Sequence, residues 1–316
     1  MWTDSGTILL GIVLMLLGTD SLAHSVSGLI ARKPDQPWLA AMGSAGVAAL
    51  APLAALVAAA LLLDHVDLAL GAAFGGAIAQ LGLSLGVAAL SAPLLARLKA
   101  LVWINPALIG AVVLVWGLGF DHDYSRFDGG IMLLAFIVLG GLVVRGIWRD
   151  RITSQALFEP AARTFRTSLL LLRLLVGVAL IGLGAWRLLA GTTGLAGSLA
   201  LNPLIAGLLV LGPASALAGT PTAVMAARRG RGDFAFGQAF FAAIAAILLM
   251  LGGLVIVHPL TIPASIGRFE LPVLFTLAVA VYPMMRSDGE LSRREGGLLL
   301  LAWFAFFATE LWLTFA

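Results

Sequence analysis

The sequence predicts an all-α integral membrane protein of about ten transmembrane helices in two inverted five-helix repeats. Three observations predict it. First, the 316 residues are 61% hydrophobic and only 11% charged, more apolar than a water-soluble domain of this length needs. Apolar stretches near the ~20 residues that cross a bilayer recur along the whole chain. Second, the second half repeats the first. Pro37 and Pro203, Asp67 and Asp233, Gly71 and Gly237, and Pro106 and Pro272 are each 166 residues apart. Asp67-Leu68-Ala69-Leu70-Gly71 lies over Asp233-Phe234-Ala235-Phe236-Gly237. One residue out of step, Ser125-Arg126-Phe127-Asp128-Gly129-Gly130 lies over Ser292-Arg293-Arg294-Glu295-Gly296-Gly297. Third, charge alternates between successive loops, as the positive-inside rule requires of a multi-span protein.

The spans follow in order from apolar length and charged interruptions. The first is expected over 8–30. Its apolar run has no basic leader and no Ala-x-Ala cleavage site, and it carries Asp20 and His24, so it reads as a retained helix and not a signal peptide. The second (38–63) and third (68–95) flank an acidic turn with Asp64 and Asp67. The fourth (101–120) runs to Asp121 and Asp123, and the fifth covers 130–144. A basic connector, 145–166, divides the chain into a first repeat (1–144) and a second (167–316). The sixth (168–190) follows the connector. The seventh (201–227) ends at Arg228-Arg229-Gly230-Arg231. The eighth (234–257), ninth (271–285) and tenth (296–315) complete the second repeat. Gly and Ala throughout let helices approach closely in lipid.

One set of loops holds Arg32, Lys33, Arg97, Lys99, the connector arginines, Arg228, Arg229, Arg231, Arg286, Arg293 and Arg294. That set carries 15 of the 19 basic residues. The alternate set holds Asp4, Asp64, Asp67, Asp121, Asp123 and Asp128. The basic set is expected in the cytoplasm, with both termini outside, in an inner (plasma) membrane of bacterial type. Five helices per repeat is odd, so the repeats run in opposite orientations. A repeated hydrophobic unit of this size is how many secondary transporters are built, with the substrate site where the repeats meet.

Other classes are excluded. The chain has no cysteine, hence no disulfide and no thiolate metal site. The net charge of +3 reflects basic loops, not a nucleic-acid surface. No nucleophile, phosphate-loop or nucleotide fingerprint stands in a workable context, so neither an enzyme nor a cofactor is expected. His65 and His122 beside several Asp make at best a weak metal site, and no metal site is predicted.

Several motifs carry a family resemblance. Arg228-Arg229-Gly230-Arg231-Gly232-Asp233 followed by Phe236-Gly237 resembles a basic loop of the calcium/cation antiporter superfamily, which includes the sodium/calcium exchangers. In that family a helix bearing Gly-Thr-Ser-x-Pro-Glu runs into such a loop, which leads to a helix opening Gly-Asn-x-x-Gly-Ser-Asn. Phe269-Glu270-Leu271-Pro272 with Asp288-Gly289-Glu290-Leu291-Ser292 is similar to the family's last two helices, and Gly18-Thr19-Asp20-Ser21-Leu22 to its first. The resemblance covers nearly the whole chain and implies a cation antiporter fold.

It also implies one ion-binding glutamate in the second helix of each repeat, supported by Asn, Ser and Thr oxygens. Those positions fall on Leu53, directly after Pro52, and on Gly219. No Asp or Glu occurs from Gln36 through Leu63 or from Leu201 through Arg231. The chain is thus a degenerate member by this resemblance. Hard cations need several oxygen ligands, carboxylates above all. A dehydrated divalent ion between these helices would be left uncompensated in low dielectric.

The polar residues that remain are the pathway candidates: Asp20, His24, Ser44, Gln80, Ser84, Ser215, Thr220 and Gln238, with Thr222 nearby. Asp20 and His24, one turn apart, form a possible proton or cation relay or else a snorkelling acid. Trp186 takes the Asp20 position in the second repeat. Gln80 and Gln238 either line a path or hydrogen-bond between helices. Glu310, among Trp303, Trp312 and several Phe residues, is expected as an interfacial anchor. Two readings follow. One is a divergent secondary transporter with an altered substrate, a small solute or a monovalent cation. The other is a non-transporting relic that serves as membrane subunit or scaffold for a partner protein. The lipid bilayer is the partner common to both.

Overall fold

The computed structural model describes residues 2–30, 37–95, 98–149 and 167–315. Arg32, Lys33, Arg97 and most of the expected connector (150–166) lie outside the described residues. Among the described residues ten long helices follow one another. They are α1 (Trp2–Ile30), α2 (Pro37–Leu62), α3 (Val66–Ser91), α4 (Leu98–Leu118), α5 (Arg126–Arg149), α6 (Thr167–Leu199), α7 (Pro203–Arg228), α8 (Gly232–Val257), α9 (Ile266–Glu270 continuing as Leu271–Asp288) and α10 (Arg293–Phe315). Eight of them are long and apolar enough to cross a membrane by length and composition.

The bundle has a centre and a rim. From Leu68 to Gly86 every residue of α3 is buried, and α7 and α8 are nearly as enclosed. The rim helices α1, α6 and α10 expose Leu9, Leu17, Leu175, Leu183, Leu301 and Leu313. Such a surface is stable only in hydrocarbon. Inside, small residues bring backbones together, since lipid offers no hydrophobic drive for helix association.

The close approaches obey the repeat. A Cβ on Gly11 would sit 2.9 Å from the Gly184 carbonyl oxygen, and one on Gly18 would sit 2.9 Å from that of Gly177. Gly11 is the 166-residue equivalent of Gly177, and Gly18 of Gly184. In the same way Gly86 of α3 meets Gly296 of α10, while its equivalent Gly252 of α8 meets Gly129 of α5.

Two short antiparallel ladders mark the two faces. β1 (Leu94–Leu95) pairs with β4 (Glu290–Leu291), and β2 (Asp123–Tyr124) pairs with β3 (Leu260–Thr261). β1 and β3 are equivalent by the offset of 166, and β2 and β4 by 167, so each ladder joins one half to the other. Gly232, after the arginine-rich turn of α7, lies against the Leu95 backbone. That face therefore gathers Arg228, Arg229, Arg231, Arg293 and Arg294, and the β2·β3 face gathers Asp121 and Asp123.

Helix ends depart from the expected limits for local reasons. α5 and α10 begin at Arg126 and Arg293, ahead of the expected 130 and 296. The Ser125 amide and hydroxyl donate to Asp128 Oδ2 at 2.8 and 2.6 Å. The Ser292 amide and hydroxyl both donate to Glu295 Oε2 at 2.8 Å. These reciprocal caps admit a charged first turn. α6 continues to Leu199 instead of stopping at 190. The Thr192 hydroxyl donates back to Leu188 O at 2.7 Å, and Gly191 and Gly194 leave room for the first turn of α1, which itself starts six residues early.

Among the described residues four helices contain a π turn, in which a bond reaches five residues back. The Leu85 amide donates to Gln80 O in α3, Gly212 to Gly207 O in α7, Leu251 to Ala246 O in α8 and Leu271 to Ile266 O in α9. The turns at 80–84 and 245–250 are equivalent. Those at 207–211 and 266–270 have no counterpart in the first repeat. Single π turns concentrate at functional sites.

Candidate functional site

The site is built where α2, α3, α7 and α8 cross. The α3–α7 contact is backbone to backbone: a Cβ on Gly71 would strike Leu204 O, and one on Gly75 would strike Leu208 O. α7 enters through Asn202, whose Oδ1 accepts from the Leu204 amide at 3.0 Å, with Pro203 in the first turn. Pro at that position forfeits no helical bond.

Leu53 is 5% exposed. Its methyls lie 3.5 Å from where a Gly76 side chain would begin, and Ser215 Oγ lies 3.3 Å from the same point. An isobutyl group thus sits beside a buried hydroxyl at the position where the resemblance places a carboxylate. Ser215 donates to Gly212 O at 2.6 Å and Thr220 to Ala216 O at 2.8 Å.

At the second position Gly219 makes room. A Cβ there would lie 2.8 Å from Ala48 O of α2 and 3.0 Å from Gln238 Nε2 of α8. Gln238 Nε2 donates to Gly219 O at 2.8 Å. The Thr222 hydroxyl lies 2.6 Å from Gly219 O and 2.9 Å from Gln238 Oε1. Gln238, 1% exposed, is therefore satisfied by α7 at both ends of its amide.

Gln80 and Ser84 differ. Both sit on the α3 π turn and are buried, yet Gln80 Oε1 and Ser84 Oγ have no hydrogen-bond partner. Buried polar atoms are almost always paired, so each such atom needs a reason. The arrangement offers hydroxyls, two amides and backbone carbonyls but no carboxylate. It can bind through neutral hydrogen bonds and cannot neutralise a divalent charge.

Of the other candidates, Ser44 is half-buried on α2. Asp20 and His24 lie on α1, outside these four helices. His24 Nδ1 is 3.2 Å from Asp20 Oδ1, with the side chains 51% and 43% exposed, so the pair faces the surroundings of the bundle. Trp186, the Asp20 equivalent, is also exposed. Among the described residues no three His, Cys, Asp or Glu side chains come together.

Sequence reasoning passed over several buried polar groups. Thr19 Oγ1, both amide atoms of Asn105 and Glu270 Oε2 are buried without partners. Asn105 directly precedes Pro106, and Glu270 lies two residues before Pro272. Glu310 was expected at the interface on account of its aromatic neighbours, but it is buried. Leu299, Trp303, Phe306 and Glu310 recur at four-, three- and four-residue steps and form the α10 stripe that faces the bundle. That spacing was the available signal.

Comparison with known proteins adds to this geometry. The family model "Sodium/calcium exchanger protein" matches residues 169–312. CaxA of Alkalimonas amylolytica, a protein named as an antiporter, is 24% identical over 310 residues, 95% of this chain and 96% of that one. The inner membrane protein YrbG of Escherichia coli is 26% identical over 323 residues, 99% and 98% of the two chains. The sodium-calcium exchanger NCX_Mj soaked with Na+ and Sr2+ has the same fold, with a TM-score of 0.69 and 21% identity over 96% of this chain and 98% of that one. Without Na+ and Ca2+ the TM-score is 0.68, with 22% identity over 97% and 98%. The chain thus has the exchanger fold along its length, and its second half matches the sodium/calcium exchanger family model.

Proposed function

We propose that this chain is a secondary transporter of the antiporter type whose substrate has moved from calcium to a small neutral solute or a monovalent cation. The single observation that carries the reading is the pair of unpartnered oxygens on the α3 π turn, Gln80 Oε1 and Ser84 Oγ. Leaving a buried polar atom unmade costs about 1–3 kcal/mol. A polar ligand arriving between the repeats would recover that cost. The polar side chains Ser215, Thr220, Thr222 and Gln238 of α7 and α8 are all neutral. The basic face would lie in the cytoplasm, with both termini opposite, in an inner membrane.

A second reading, a non-transporting subunit, is favoured by Leu53, which closes the α2 side of the site with an apolar group against Gly76.

Flux into proteoliposomes decides between them. Calcium and sodium uptake would be driven by imposed sodium, proton or potassium gradients, alongside uptake of small neutral solutes, with empty liposomes as control. The expected result is no calcium flux and saturable uptake of a neutral solute or sodium, reduced in Gln80→Leu. Saturable calcium uptake by the wild type would sink the altered-substrate reading. No flux of any probe, from folded protein that co-purifies with a partner, would establish the subunit.

A further inference from the structure

We propose that Glu270 and Glu310 form a proton-binding carboxylate pair in the second repeat, separate from the α2–α3–α7–α8 site. The inference does not depend on the transport reading. Glu270 ends the π turn of α9 and is 2% exposed, and its Oε2 has no partner. Glu310, on α10, is 6% exposed. Phe269 stacks on Phe306 with ring centroids 5.7 Å apart and planes 19° from parallel. Glu310 follows Phe306 by one turn on the buried stripe of α10, and Glu270 directly follows Phe269 on α9. Both carboxyl groups are therefore buried where α9 and α10 meet at this stack.

Two carboxylates enclosed together cannot both be ionised without a cation between them. Among the described residues neither forms an ion pair. The charged groups of the packed elements lie elsewhere. Arg268, on the same π turn, is exposed, as is Asp67 at the start of α3. On α4, Lys99 belongs to the first turn, at the opposite end. Arg286 and Asp288 of α9, Glu290 of β4, and Arg293, Arg294 and Glu295 of α10 are also at that far end. A proton is the smallest charge that resolves the pair, held on one oxygen and donated to the other.

The fold does not require these acids. Ile104 and Val143 occupy the equivalent positions in the first repeat, and α4 has no π turn there. An ionisable pair inside a span, absent from the matching half, is retained for a ligand and not for packing.

Infrared difference spectroscopy on the full chain in lipid tests the site. At neutral pH the wild type should show a protonated-carboxyl stretch equivalent to one group per chain, shifted in D2O. It should change frequency in Glu270→Gln and in Glu310→Gln and vanish in the double variant. A band that is absent from the wild type, persists in the double variant, or fails to shift in D2O would overturn the proposal. Glu270→Asp supplies a charge-retaining control if the double variant misfolds: it should move the band without removing it.

Discussion

The two halves of the molecule share a scaffold and differ in what they bury. Glycine contacts, capping boxes and ladder strands recur at matching positions. Polar content does not. The first repeat places Leu53 where the second has the Gly219–Gln238–Thr222 network, and the second alone holds Glu270 and Glu310. The Gln80 and Gln238 equivalents are Ala246 and Ala72. Backbone packing is set by small residues that any function in this fold needs. The polar set is free to drift, and here it has drifted differently on each side.

The sharpest way to break the comparison is at equivalent glycines. Gly71→Ala should cost about 3 kcal/mol or more, because its Cβ meets the Leu204 backbone, which cannot rotate away. Gly237→Ala, with nothing within 4 Å of its Cβ, should stabilise by about 1 kcal/mol through helix propensity. Thermal unfolding of the purified variants in detergent reads the difference; equal effects would mean the α3–α7 contact is looser than described.

Next in size is Leu53→Glu. An unpaired acid at the centre of a span costs about 2.5–3.5 kcal/mol, and added calcium should restore part of it as a rise in Tm that the wild type does not show. No calcium response would indicate that the remaining oxygens no longer converge on that point.

Gln238→Leu should then cost about 1–3 kcal/mol, since it removes two buried hydrogen bonds, one to the Gly219 carbonyl and one from the Thr222 hydroxyl, while those two groups keep each other as partners. Gln80→Leu removes a buried oxygen that has no partner and should hold or raise Tm while reducing flux. A large stability loss in Gln80→Leu would make Gln80 structural and weaken the transport reading.

The smallest effects should be equal. Ser125→Ala and Ser292→Ala each lose one capping box and about 1 kcal/mol. A marked inequality in Tm would show that the two fifth helices are held by different means.

Much of the fold was legible because the repeat lies on the chain itself. Pro37 with Pro203 and Asp67 with Asp233 gave the offset, and loop charge gave the inversion. Leu53 and Gly219 were legible as equivalent positions for the same reason. The π turns were not, since an extra residue in a helix of Leu, Gly and Ala leaves no mark on composition. Nor was the satisfaction of Gln238 against the orphaning of Gln80, which depends on how α7 and α8 cross. Glu310 was misplaced because its aromatic neighbours outweighed the spacing from Leu299. The cap at Ser125 was written as Ser-x-x-Asp, but an apolarity threshold begins the helix only where charge ends.

The cross-paired ladders carry a consequence for biosynthesis. β1 and β2 are made with the first five helices, yet their partners β4 and β3 arrive only near the end of translation. Until then the nascent chain presents two open strand edges, and until α7 is made the glycine face of α3 is bare as well. A ribosome stalled in the connector would therefore leave a membrane-inserted half that cannot close on itself. Such a half would be exposed to quality-control proteases, and a second half supplied as a separate chain should rescue it.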